Sequence, residues 1–187
     1  MRFLPFLFAT FLTIVGCQDK PKQTTTQTEY ELSMTDKDTA AVANLVDQFF
    51  MLLEEDRVTD AVSLLYQVND TDRYNRVELL DNENIQRVTT LLKAFPIVSH
   101  RIDYIKFHEV YNNEVKVSAI LYEATEDQPE VKTVFYFRVV DDRGRWCLCM
   151  MNTSEGDRRL ISNEEADSVS TKYSNYQKEK ESKSVEN

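Results

Sequence analysis

The sequence predicts an α+β domain over residues 36–152, with helices first and strands second. Three observations predict it. Apolar residues recur at helical spacing between Val42 and Phe95, the period falls to two after Pro96, and turn residues punctuate the second half. A hydrophobic share of 42% and an aromatic share of 11% supply a core, and three glycines and four prolines are too few for a low-complexity chain.

Each element follows from local pattern. Thr35-x-x-Asp38 offers a capping-box-like start near Thr35 or Asp36. Val42, Leu45, Val46, Phe49, Phe50 and Leu53 then fall on one helical face. Glu54-Glu55-Asp56 interrupts that face, and a shorter helix carries Val58, Ala61, Val62 and Leu65. Gln67 to Asn75 reads as a polar loop. A further helix runs from about Asn82 to Phe95 on Ile85, Val88, Leu92 and Phe95, and Pro96 stops it by disfavouring helical geometry in the residue before it.

Strands occupy the rest. Arg101–Tyr111 and Glu114–Glu123 flank Asn112-Asn113, a two-residue hairpin signal. Lys132–Val140 and Arg145–Met151 flank Asp141-Asp142-Arg143-Gly144, a second hairpin in which Trp146 is expected to be largely buried. Ile102 and Tyr104 share one phase while Ile105 and Phe107 share the other, so a β-bulge and a bent strand are expected. Phe135, Phe137 and Val139 oppose Val134, Tyr136 and Val140, which makes this strand apolar on both faces. Its second face must meet a cavity, another layer or another subunit. Residues 153–187 show no clear apolar stripe, and disorder or a frayed helix over Asn163–Lys183 is expected.

The chain opens with Arg2, an apolar run from Phe3 to Val15, and Gly16-Cys17. Such a run is shorter than the roughly 20 residues that cross a bilayer, and it suits a secretory signal peptide. Ile14-Val15-Gly16-Cys17 resembles the lipobox of bacterial lipoproteins. That resemblance implies removal of residues 1–16, lipidation of Cys17, and a membrane anchor followed by a flexible tether over 17–35. Gln18 gives no aspartate-type inner-membrane retention signal, so the resemblance favours the outer membrane of a bacterial envelope, with the domain facing the periplasm or the surface.

Charge narrows the function classes. Residues 36–152 hold 21 acids and 13 bases, a net of −8 within a chain total of −10. An acidic domain repels phosphates, and no basic stripe interleaved with aromatics appears, so nucleic acid is excluded as a partner. Cys147 and Cys149 lie two apart on one strand face and read as small buried hydrophobes. A strained vicinal disulfide or a metal pair remain the alternatives. Asp70-x-Asp72 lacks the glycine and terminal glutamate of a calcium loop. No cofactor or metal is expected, and no glycine-rich phosphate loop, GxSxG elbow or HExxH is present.

Val46-x-x-Phe49-Phe50, Asp60-Ala61-x-x-Leu64 and Asp141-Asp142-Arg143-Gly144-Arg145-Trp146 resemble small lipoproteins with an NTF2-like domain. The resemblance covers about 36–152 and implies a cone, with three N-terminal helices packed on a curved antiparallel sheet of about four strands. Gln67 to Leu80 departs from it by its length. Enzymes of that fold use a carboxylate base and a phenol inside the cone, for which Asp103 with Tyr104, Tyr122 or Tyr136 are the nearest candidates. Asp103 reads as a solvated strand residue, the tyrosines as amphipathic core, and His108 as a surface residue. An open cone would be lined by Tyr104, Leu121, Tyr122, Tyr136 and Arg138, with Phe95 nearby, and would take a small, mostly apolar ligand. A non-catalytic binding or accessory domain is the leading expectation. A homodimeric docking scaffold comes second, and a pocket enzyme of isomerase or dehydratase type third.

Overall fold

The computed structural model describes residues 27–68, 76–150 and 163–185. Cys17 with the signal-peptide segment, and the Asp70-x-Asp72 pair, lie outside the described residues. The order of elements is α1 (Glu29–Ser33), α2 (Asp36–Glu54), α3 (Val58–Ser63), β1 (Leu65–Val68), β2 (Val77–Leu79), α4 (Asn82–Lys93), β3 (Ser99–Glu109), β4 (Asn112–Tyr122), β5 (Val131–Asp141), β6 (Trp146–Met150) and α5 (Asn163–Val185).

The Thr35 N–H and hydroxyl both donate to Asp38 Oδ2, at 2.9 and 2.7 Å, which starts α2 and holds the Asp38 carboxyl below its usual range. Val42, Val46, Phe49 and Phe50 are completely buried on the face that the periodicity assigns to the core. Phe49 and Phe50 meet Phe137 edge-on at 5.4 and 5.9 Å, so α2 lies across the centre of the sheet. The Asp81 side chain caps α4 by accepting from Asn84 N at 2.7 Å.

The fold is α+β, built on one six-stranded mixed sheet in the order β2-β1-β6-β5-β4-β3. Strands β3 to β6 form an antiparallel meander, and β1 joins β6 in parallel. Strand β5 ends in a tight turn in which Arg143 (φ 58°) and Gly144 (φ 82°) are both left-handed, and Asp142 and Arg145 exchange backbone hydrogen bonds. That is the type I′ geometry whose twist matches a hairpin. The expected bulge falls at Asp103: Ile102 pairs with Val117 but Tyr104 pairs with Lys116, so Asp103 is the extra residue. A second shift makes Leu121 the extra residue between Ile120 and Tyr122.

Several expectations are corrected. The sheet has six strands rather than four, because Leu65 to Val68 extends as β1 and Val77 to Leu79 pairs with it. The first hairpin turns at Val110-Tyr111, since Glu109 already pairs with Asn112. Asn113 lies inside the sheet instead, where its amide accepts from His108 N at 2.8 Å and donates to Val139 O at 3.0 Å. It thereby patches the backbone donor left open by the irregular register near Glu109. The span 17–35 is not tether throughout: Thr28 caps α1, which docks on β3. The C-terminal span carries α5 as a continuous helix, docked through buried Val169 and Tyr173. Trp146 is partly buried, packed against the core and on Phe107 with ring centroids 5.4 Å apart, and this leaves the expectation of a largely buried ring standing.

Asn113→Leu should lower unfolding stability by about 1–3 kcal/mol, the cost of a buried donor and acceptor left unpaired. Asn112→Ala should change it by less than about 0.5 kcal/mol, as surface substitutions do. Urea midpoints of the two variants check the pair. Equal midpoints would show that the turn, not the buried amide, is what matters.

Candidate functional site

Register places two rows of side chains on the sheet face opposite α2. One row is Tyr104, Lys116 and Tyr136, and the next is Lys106, Glu114 and Arg138. The Asp103 bulge creates this arrangement, because it turns Tyr104 away from the face shared by Ile102, Val117 and Phe135. The Tyr104 hydroxyl donates to Glu114 Oε1 at 2.5 Å, and both residues are fully buried. Lys116 Nζ sits 6.0 Å from the Tyr104 ring centroid and 3.8 Å from Asp103 Oδ2. Asp103 also accepts from Ser118 Oγ at 2.7 Å. Asp103 is therefore a mostly buried, partnered carboxylate (side chain 13% exposed), not the solvated residue expected. The row Lys106, Glu114 and Arg138 alternates in sign, which suits cross-strand neighbours under cover.

Lys106 leaves this face at the sheet edge. Its Nζ lies 2.7 Å from Glu31 of α1 and 3.2 Å from Glu165 of α5, and its side chain is 8% exposed. Burial alone would raise the Glu31 carboxyl, but hydrogen bonds from Lys106 and Gln27 bring it below its usual range. Burial, with the Asp47 carboxylate of α2 near by, raises the Tyr173 phenol of α5 to about 12. On the helix side, His100 is clamped to α2. Its Nδ1 lies 2.7 Å from Glu54, its Nε2 3.1 Å from Asp47, and its ring stacks on Phe50 at 4.9 Å. Burial opposes its charge, yet the two carboxylates outweigh that and raise its pKa.

The residues expected to line a pocket separate into two groups. Tyr104, Tyr136 and Arg138 come together on the face of the two rows. Phe95 and Leu121 pack against the main apolar core, and Tyr122 is exposed at the end of β4. His108 is partly exposed, 3.8 Å from Glu109. Cys147 and Cys149 are buried thiols outside any disulfide, and burial raises the Cys147 thiol. Sequence reasoning missed His100, Lys106 and Glu114. Asp47 and Glu54, seven residues apart on one helical face, were the available hint of a cationic partner for that face.

A cleft of about 560 Å³ opens between the hairpin tips, lined by Arg76, Val77, Tyr111, Val140, Asp141, Asp142 and Arg143. A shallower groove of about 390 Å³ runs along the exposed side of α2 past Asn44, Gln48, Met51 and Glu55. Among the described residues there is no group of three or more His, Cys, Asp and Glu placed to hold a metal, and no helix long and apolar enough to cross a membrane. The arrangement offers mutually neutralised carboxylates on the sheet and a mixed-charge cleft at one end. No family model matches the chain, and a comparison with curated proteins found no match.

Lys106→Met should destabilise the protein by about 3 kcal/mol, because it strands two mostly buried carboxylates. Adding Glu31→Gln and Glu165→Gln should restore most of the loss in a denaturant titration. The His100 clamp sets a pH dependence of definite sign. A raised folded pKa means its contribution is fully present below the ordinary value of 6.5 and is lost as pH rises through the raised value. Midpoints measured from pH 5 to 9 should fall across that window, and His100→Asn should flatten the slope.

Proposed function

We propose that this chain is an exported bacterial lipoprotein, held by lipid at Cys17, whose NTF2-like domain works as a non-catalytic binding or accessory module of the envelope. The lipobox-like Ile14-Val15-Gly16-Cys17 supports the anchor. Helices packed across a bulged antiparallel meander support the fold reading. One observation carries the choice of binding over catalysis. The carboxylates best placed for proton transfer, Glu114 and Asp103, are engaged by Tyr104 and by Ser118 and Lys116. A general base needs a lone pair aimed at a substrate, and these two carboxylates face donors of the sheet itself. The helix side of the sheet is packed by Phe49, Phe50 and Phe137, so the mixed-charge cleft between the hairpins is the recess we assign to a ligand or partner.

Expression in a bacterial host checks the anchor. The wild-type chain should appear in the membrane fraction with its first residues removed and a lipid mass on Cys17. Cys17→Ser should leave the precursor unprocessed and unlipidated. A Cys17→Ser protein with normal processing and membrane partition would sink the proposal.

A further inference from the structure

We infer that the Val110-Tyr111 hairpin tip is a second, non-covalent membrane contact that seats the domain on the same bilayer that holds Cys17. The inference rests on the lipid anchor proposed above. The first described residues meet the body of the domain at this end of the sheet. Thr28 Oγ1 donates to His108 O at 2.7 Å, two residues from the tip, and Glu31 is tied to Lys106 next along the strand. Ten residue steps separate Cys17 from Gln27. At 3.3–3.6 Å each they reach at most about 35 Å, roughly the length of one eleven-residue strand such as β4. The tether therefore joins the domain at the tip end, opposite the end that carries Tyr122.

The tip has the chemistry for that place. Val110 and Tyr111 are each 41% exposed, side by side in a tight turn. A tyrosine ring, apolar in body and polar at its hydroxyl, suits the headgroup level of a bilayer. Beside it the exposed Arg143, in the turn of the neighbouring hairpin, stands where a lipid phosphate would lie, and it shares with Tyr111 the cleft between the tips. In the lining of that cleft Asp141 and Asp142 are matched by Arg76 and Arg143, so the cleft itself escapes the acidic excess of residues 36–152 as a whole.

The test uses the full acylated chain in vesicles of phosphatidylethanolamine and phosphatidylglycerol with brominated acyl chains. Tyr111→Trp adds a reporter at the tip and Tyr122→Trp adds one at the far end, with the wild-type Trp146 signal subtracted. Tyr111→Trp should shift to the blue and lose about half of its added emission, as a ring at headgroup depth would, while Tyr122→Trp keeps its own. Equal emission from the two positions, or quenching at 122 alone, would overturn the contact. Hydrogen exchange on the unsubstituted chain gives a second reading. Amides 109–112 should be slower on vesicles than in the Cys17→Ser chain free in solution, and unchanged exchange would overturn the inference. A chain that carries no lipid overturns the anchor and this contact together. An acylated, vesicle-bound chain with an unquenched tip overturns the contact alone.

Discussion

The periphery of this domain depends on one buried cation on an edge strand. Strand β3 ends the sheet, and its eleven residues would otherwise present a row of open backbone groups to any passing chain. Two helices cover it, and neither has a strong apolar face of its own. None of the residues of α1 is buried, and α5 contributes only Val169 and Tyr173 to the buried core. Apolar contacts that sparse tolerate sliding by a turn. The Lys106 ammonium does not, because its desolvation is offset only when Glu31 and Glu165 both arrive at their places. The ion pair therefore decides where the helices dock more than how tightly they hold.

The Asp103 bulge plays the same part for the sheet interior. One extra residue moves Tyr104 from the face of Ile102 to the opposite face, where it meets Glu114. The same shift turns Asp103 toward Ser118 and Lys116. Without the bulge, the tyrosine would compete with Phe49 and Phe137 for the space under α2, and Glu114 would lie buried without its phenol donor. A local irregularity of backbone thus makes a charged layer compatible with a closed core.

The helical spacing of Val42 to Leu53 and of Ile85 to Leu92 was legible because each face is wide and apolar, and the phase slip at Ile102 to Phe107 announced the bulge. What escaped shares a physical cause. In α5 the docking residues Ala166, Val169, Tyr173 and Tyr176 do fall at helical intervals, but serines, threonines and lysines between them dilute the pattern. Strand β1 begins at Leu65, whose spacing from Val62 continues a helix equally well, and only pairing with β6 resolves the ambiguity. Asn112-Asn113 carries turn propensity, yet a buried amide that mends a bulge needs the same residue type. His100, Lys106 and Glu114 owe their surroundings to residues 10 to 75 positions away, which no local window contains.

The asymmetry between the two ends of the sheet bears on how an acidic domain would sit beside a membrane on the proposed anchor. Charges farther than a Debye length from the surface, about 8 Å at physiological salt, are largely screened. The repulsion an anionic leaflet exerts is then set by the few residues nearest it rather than by the net charge of the whole. The cleft between the hairpin tips is lined by two arginines and two aspartates, whereas the far end of α2 leads into Glu54-Glu55-Asp56. On the proposed anchor, a tether that joins the domain through Thr28 and Glu31 would turn the cleft between the hairpin tips toward the bilayer. Such an orientation would set the mixed-charge cleft against the headgroups, and the docking of α1 on β3, more than the lipid itself, would decide which face of the domain turns away from them.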